Sequence, residues 1–178
     1  MLDLLREHGA RATFFVVGRY VDARPEVARR AVAAGHELGN HTYDHVDAAH
    51  ERDDDVLRDQ IARTNAAVER ATGSAPRLIR PPYGKDVARI ARLGREAGLQ
   101  PTVLWSAQGW DWDATPAVEI VALVLRDCRP GGIVVLHDGV PPEGGPSREP
   151  MLSALPEILT ALTRDGYELV TVTELLAA

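Results

Sequence analysis

The chain alternates between short apolar runs and longer segments in which apolar residues recur at every third or fourth position. The short, partly β-branched runs predict strands: ATFFVVG, HELGNHT, RLIRPPY, PTVLWSA, GGIVVLHDG and YELVTVT. The periodic segments predict amphipathic helices: PEVARRAVAAGHE, DDDVLRDQIARTNAAVERATG, KDVARIARLGREAGL, TPAVEIVALVLRDC and EPMLSALPEILTALTRDG. Strands separated by helices predict a parallel sheet with right-handed crossovers. We therefore expect one α/β domain over residues 1–178, open or barrel-like.

Two segments stand outside this alternation. MLDLLREHG predicts a helix that stops at a glycine, so the chain opens inside a helix with no strand before it. The proline- and glycine-rich VPPEGGPSREP at 140–150 predicts a loop over one face.

Polar residues gather where the predicted strands end. In parallel α/β folds, ligands bind at the carboxyl ends of the strands. Those ends read GNHTYDH, RPPYG, WSAQGWDWD and LHDG, and they hold three of the chain's six histidines. These four junctions are therefore the candidate functional sites.

HTYDH, residues 41–45, is either half of a metal site or a polar surface loop. If the segment coils after its strand, His41 and His45 lie one turn apart and both imidazoles can reach one cation such as zinc. A zinc site needs a third protein ligand. The local carboxylate candidates have no compelling spacing: Asp44, Asp47, Asp111 and Asp138.

RPPYG, residues 80–84, has a backbone fixed by two proline rings and leads into a helix near Lys85. Such a stiff loop can hold a backbone N–H in place as an oxyanion donor. Arg80, at the strand end, can orient a carboxylate. The alternative is a simple strand-terminating turn.

Trp110 and Trp112 flank Asp111 in GWDWDA. Exposed aromatic faces can stack against the C–H faces of sugar rings, whereas core aromatics would only fill space. We expect Trp110 to belong to the core and Trp112 to serve function. His137, after a strand that should be buried on both faces, is either a general acid or base or a structural histidine.

Composition excludes several classes of protein. The net charge of −6 argues against nucleic-acid binding. The single cysteine, Cys128, excludes an internal disulfide and a cysteine-based zinc site, and its apolar surroundings predict burial. No apolar run reaches the roughly 18 residues of a membrane span. The N-terminus carries acidic residues where a signal peptide would be basic, so we expect none there.

Taken in order, HTYDH, RPPYG, the Asp111–Trp112 pair and LHDG resemble the motifs of the NodB-like polysaccharide deacetylases, carbohydrate esterase family 4. The resemblance covers nearly the whole chain. It implies a distorted (β/α) barrel that removes N- or O-acetyl groups from glycans such as chitin oligomers, peptidoglycan or xylan. It also implies a divalent metal, zinc by default, although cobalt or nickel would fit. The family usually acts at the cell envelope or outside the cell, and the location of this chain is left open.

The resemblance implies roles for residues in the first two motifs. His41 and His45 correspond to the histidine metal ligands. Arg80 corresponds to the arginine that holds the catalytic base. Tyr83 corresponds to the residue whose backbone N–H helps to bind the oxyanion.

It also implies roles for residues in the last two motifs. His137 corresponds to the general acid and Asp111 to the partner that tunes it. Trp112 and Leu136 correspond to walls of the acetate pocket. Gln108 stands where the family usually has an aspartate, which we expect to reshape the edge of the site without stopping the reaction.

One departure is larger, because the family's first motif, a strand ending in Thr-Phe-Asp-Asp-Gly, does not precede MLDLLREHG. The resemblance places the general base, the third metal ligand and the first barrel strand in that motif. We therefore expect this chain to begin one strand late, with a weakened metal site and little or no hydrolase activity. Two alternatives remain: an amidase acting on a small cyclic amide, and a carbohydrate-binding remnant that does not turn over substrate. A closed pocket would favour the first, and binding of chitin oligomers without acetate release the second.

Overall fold

The computed structural model describes residues 1–140 and 144–178, and the chain resolves into two compact units. One unit comprises residues 13–104, and the other comprises residues 1–12 together with 105–178. Of the predicted loop at 140–150, residues 141–143 lie outside the described residues, and 144–147 are irregular as predicted.

In the unit formed by residues 13–104, strand β1 (Thr13–Val16) pairs in parallel with β2 (Glu37–Asn40). Helices α2 (Gly18–Ala23) and α3 (Pro25–Ala33) connect the two strands. Pro25 occupies the first turn of α3, where its fixed φ favours the helix and its missing N–H costs nothing. The predicted parallel crossover is therefore present here, although α2 was not predicted.

The rest of this unit is built on helices α4 (Asp54–Thr72) and α5 (Val87–Glu96). The Asp53 side chain caps α4 by accepting a hydrogen bond from the backbone N–H of Asp55. Gly73 ends the helix in the left-handed conformation at φ 82°. The buried apolar cluster of this unit contains Ala48, Leu57, Ile61, Ile79, Ile90, Leu93 and Leu99.

Two of the predicted strands are reduced to single bridges. Ile79 in RLIRPPY forms isolated parallel bridges with Asn40 and with Thr102, the latter in PTVLWSA. Prolines 81 and 82 follow immediately and have no N–H to donate, so the ladder cannot continue past Arg80. The predicted parallel direction is correct, but the predicted strands are too long.

The other unit contains a second parallel pair, β3 (Ala107–Gln108) with β4 (Val134–Val135). Its helices are α1 (Leu2–Glu7), α6 (Ala117–Asp127), α7 (Glu149–Arg164) and α8 (Val172–Ala177). Cys128 follows α6 and is buried, as predicted. Within residues 1–140 and 144–178, no helix is both long and apolar enough to cross a membrane.

The predicted strand YELVTVT is wrong. Residues 167–170 are irregular: the Tyr167 N–H donates to the Leu162 carbonyl and the Arg11 N–H to the Leu169 carbonyl, and α8 begins at Val172. Thr171 and Glu174 form a capping box, in which each side chain accepts a hydrogen bond from the backbone N–H of the other. This local capping overrides the β propensity of the Val-Thr-Val-Thr pattern.

Candidate active site

His41 and His45 come together directly after β2. Their ring centroids lie 5.0 Å apart in an edge-on arrangement. The segment does not coil into a helical turn; the approach depends on positive φ at Thr42 (63°) and His45 (61°). The Nδ1–H of His41 donates to the backbone carbonyl of Arg80 at 2.7 Å, which fixes the tautomer in which Nε2 carries the lone pair.

Asn40, the last residue of β2, shapes this turn. It is fully buried, and its Oδ1 accepts a hydrogen bond from the Thr42 N–H at 2.9 Å. Its Nδ2 donates to the Ile61 carbonyl at 2.9 Å and to Asn65 Oδ1 at 2.8 Å, both on α4. The sequence reasoning missed Asn40, and a polar residue at the end of a buried strand next to a candidate ligand was the available signal.

The two nearby carboxylates are engaged elsewhere. Asp44 exchanges two hydrogen bonds with Gln60: its N–H donates to Oε1 at 2.7 Å, and its Oδ2 accepts from Nε2 at 3.0 Å. Asp47 accepts from Lys85 Nζ at 2.7 Å and lies 2.9 Å from the Nδ1 of His50. The hydrogen bond from Lys85 is the main reason that the pKa of Asp47 is lowered. Neither carboxylate completes a metal site with the two histidines in this arrangement.

The donor set therefore fits a zinc site only in part. Adjacent imidazoles, one with its tautomer fixed by a carbonyl, match two of the ligands that zinc accepts. Across the described ranges, 1–140 and 144–178, no group of three or more His, Cys, Asp or Glu side chains is placed to hold a metal ion.

Arg80 is a buried cation in the same unit. It is 8% exposed, and its guanidinium donates to the carbonyls of Val103 (3.3 Å) and Leu104 (3.0 Å). The guanidinium carbon lies 4.1 Å from the centroid of the Phe15 ring. Burial lowers the pKa of Arg80 to about 10, because desolvation disfavours the charged form.

Tyr83 sits in a tight turn, Pro82–Gly84, as the prolines of RPPYG predict. Its φ of 60° is unusual for a bulky residue and turns the backbone sharply. The ring is 48% exposed, and its centroid lies 4.7 Å from that of His45. Helix α5 begins at Val87, two residues later than predicted.

In the other unit, Asp111 binds His137 at two points. Its Oδ1 accepts a hydrogen bond from His137 Nδ1 at 3.0 Å, and its Oδ2 accepts from the His137 backbone N–H at 2.6 Å. The Asp111 side chain is 1% exposed, whereas that of His137 is 41% exposed. The carboxylate thus fixes both the orientation and the tautomer of the imidazole, and Nε2 is the ring nitrogen left to exchange a proton with a ligand.

Trp110 and Trp112 flank Asp111 in the sequence. Trp110 is 45% exposed and Trp112 44%, and their ring centroids are 5.7 Å apart. The prediction that Trp110 belongs to the core is wrong: a positive φ of 52° at Trp110 accompanies a turn in which Asp111 is the residue buried. Leu136 is half-buried, next to His137.

Arg148 ties the two loops of this unit together. It is 8% exposed; its Nε donates to the Gly139 carbonyl at 2.9 Å and its Nη1 to the Asp111 carbonyl at 3.1 Å. The sequence reasoning missed Arg148, because nothing in the irregular PSRE context signals a buried cation. Gln108, where the family usually has an aspartate, accepts a hydrogen bond from Trp105 Nε1 at 3.2 Å.

Known proteins resemble this chain along most of its length. The sequence model of the family described as polysaccharide deacetylase matches residues 1–102. A chitooligosaccharide deacetylase of Bradyrhizobium sp. (strain ANU 289) is 41% identical, over 95% of this chain and 80% of the relative. A peptidoglycan-N-acetylglucosamine deacetylase of Bacillus cereus is 40% identical, over 99% of this chain and 80% of the relative. A solved CE4 family pseudoenzyme from Bacillus anthracis superposes with a TM-score of 0.87 at 30% identity, over 98% of this chain and 58% of the solved chain.

Proposed function

Because the chain belongs to the polysaccharide deacetylase family, we propose that it hydrolyses the acetyl groups of N-acetylated glycans such as chitin oligomers or peptidoglycan. O-acetylated glycans are a less demanding substrate of the same chemistry. The family and the α/β fold class predicted from the four motifs are both confirmed by the comparisons. The glycan, the metal and the roles of individual residues belong to the proposal.

The pairing of Asp111 with His137 carries the proposal. An amide nitrogen is a poor leaving group until it is protonated, so deacetylation of an amino sugar needs a general acid. His137 is partly exposed, and its Nδ1 is bound to a buried carboxylate. Its Nε2 is thus the nitrogen that donates the proton, and the carboxylate holds the ring in the orientation that presents it.

We assign the metal to His41 and His45, with zinc as the default and cobalt or nickel as substitutes. When bound, such a cation acidifies a water molecule and polarises the acetyl carbonyl. His41 supports this assignment because its Nδ1–H is bound by the Arg80 carbonyl, so Nε2 is the ring nitrogen that carries the lone pair. A third ligand must come from a residue other than this pair.

Three further roles follow the same chemistry. The backbone N–H of Tyr83, set by the turn at φ 60°, is proposed to donate to the oxyanion of the tetrahedral intermediate. Arg80 is proposed to orient the carboxylate of the general base. Trp112 and Leu136 are proposed to form apolar walls around the acetyl methyl group.

Carbohydrate binding without turnover is the second candidate function. It is favoured by the two-histidine cluster, which the described residues do not complete to three ligands. In that case the glycan would bind, but no acetate would leave.

One experiment separates the two functions. Chitin tetramer is incubated with zinc and either the chain alone or an extended chain, in which a designed strand ending in Thr-Phe-Asp-Asp-Gly precedes residue 1. We expect weak or no acetate release from the chain alone, because the described residues group no third ligand with the two histidines, and zinc-dependent release from the extended chain. Tetramer binding by both forms without acetate from either would establish the binding function and reject the deacetylase.

A further inference from the structure

Two tryptophans present their indole rings to solvent beside the proposed general acid. Trp110 and Trp112 are 45% and 44% exposed, and their planes are tilted by 48°. Exposing two large aromatic side chains in one short segment leaves apolar area in water that a purely structural turn would bury. Asp111, which separates them in sequence, is 3% exposed and accepts a hydrogen bond from His137, so both indoles belong to neighbours of the residue that positions the proposed general acid.

The backbone of Trp110 is held in place by two hydrogen bonds. Its carbonyl accepts hydrogen bonds from Thr115 Oγ1 at 2.6 Å and from the Asp113 N–H at 3.1 Å. Its φ of 52° is a conformation that costs a bulky residue about 1–3 kcal/mol. A strained backbone that hydrogen bonds hold at an exposed aromatic residue is typical of a preorganised binding surface. Because the segment is already ordered in the free protein, ligand binding loses less conformational entropy.

We propose that Trp110 forms a second sugar-binding position, in which its ring stacks against one neutral N-acetylhexosamine ring of the glycan while Trp112 borders the acetyl group. A pyranose ring offers an apolar C–H face that matches an indole face. This inference rests on the proposed function and names a contact for it.

The test is a binding titration that needs no turnover. Chitin tetramer is titrated into the chain alone by calorimetry, with Trp110→Ala, Trp110→Phe and the control Tyr20→Ala, which removes a comparably exposed ring (43%) elsewhere. We expect Trp110→Ala to weaken binding about tenfold, Trp110→Phe to restore most of it, and Tyr20→Ala to have no effect.

The titration distinguishes failure of the Trp110 position from failure of the proposed function. Unchanged affinity in Trp110→Ala, with tetramer still bound by the parent, would overturn the Trp110 position and leave the deacetylase proposal intact. Failure of the parent chain to bind tetramer at all would count against the proposed function itself, and the Trp110 position would fall with it. Thermal melts of each variant confirm that the compared proteins are folded.

Independently, the hydrogen bonds of Arg148 assign it as a positioning residue. A buried guanidinium is costly unless its N–H groups are bound. Here two of them hold the carbonyls of Asp111 and Gly139, in the loops that carry the two members of the acid pair. Arg148 therefore acts through Asp111 and His137, whose mutual geometry it keeps.

The reporter of that geometry is the Nδ1–H proton of His137, whose NMR signal is assigned by its loss in His137→Gln. Arg148→Met should abolish or broaden the signal, and Arg148→Lys should retain it in part, because an ammonium can still bind one carbonyl. Arg129→Met is the matched control: Arg129 also donates to two backbone carbonyls, those of Arg126 and Cys128. An unaltered signal in a folded Arg148→Met protein would overturn the assignment.

Discussion

Asp111 accepts both the side-chain Nδ1–H and the backbone N–H of His137, at 3.0 Å and 2.6 Å. One buried carboxylate thereby sets the ring orientation, the tautomer and the local backbone of a histidine that is itself open to solvent. This arrangement suits proton donation, because only the outward nitrogen is left to act.

Replacing Asp111 with Asn should separate this role from simple packing. The amide has nearly the same shape but offers an N–H group where one of the two His137 donors needs an acceptor. In the extended chain we expect kcat for acetate release to fall by about 10²-fold or more, with little change in KM. A variant that keeps kcat, or one that loses only KM, would contradict the proposed role.

Asn40→Ala should destabilise the protein and disturb the histidine pair. It leaves the Thr42 N–H buried without its acceptor, at a cost of about 1–3 kcal/mol. We also expect weaker cobalt binding, followed by its visible spectrum, since the turn orients His41. Asn65→Ala, which removes only one of the Asn40 contacts, should have the smaller effect on both measurements; the reverse order would contradict the account.

Gly109→Ala should overpack the core beneath the tryptophans. A methyl group there would lie 2.7 Å from Ile120 Cγ2 and 3.2 Å from Leu136 Cδ2. We expect a loss of about 1–3 kcal/mol in chemical denaturation. Gly139→Ala is the control, because an added methyl at that position meets nothing within 4 Å. Equal free energies of unfolding in the two variants would contradict the predicted overpacking at Gly109.

Asp54 should make stability depend on pH. Hydrogen bonds from Arg92 and then Arg89 hold the pKa of Asp54 below its usual value. A carboxyl whose folded pKa is lowered adds stability above its unfolded pKa, about 3.9, and that contribution is lost as pH falls through the folded value. The melting-temperature difference between the parent and Asp54→Asn should be largest near neutral pH and shrink below about pH 4. A difference that grew in acid would contradict this sign.

Periodicity and proline placement were sufficient to predict the longer helices. Pro25 begins α3 and Gly73 terminates α4, both where the sequence predicts them. The strands were harder, because a sheet depends on partners distant in sequence. Thus RLIRPPY forms only the bridges of Ile79, and Thr171 converts the end of YELVTVT into a helix cap.

The motifs identified the chemically active residues but not the residues that hold them. Asn40 reaches Asn65 across 25 positions, and Arg148 reaches Asp111 across 37. No local pattern encodes such contacts. Trp110 was placed in the core because residue type does not reveal a positive φ, and that conformation accompanies its exposed position.

The most direct test of the central claim is zinc-dependent acetate release from chitin tetramer by the extended chain carrying His137→Ala or His50→Ala. His50 also pairs with an aspartate, at 2.9 Å, but it is a surface residue with 81% of its side chain exposed. We predict that His137→Ala lowers kcat by about 10²–10⁴-fold and that His50→Ala leaves it unchanged. Equal activity in the two variants would contradict the assignment of His137 as the general acid, and with it the observation that carries the proposed function.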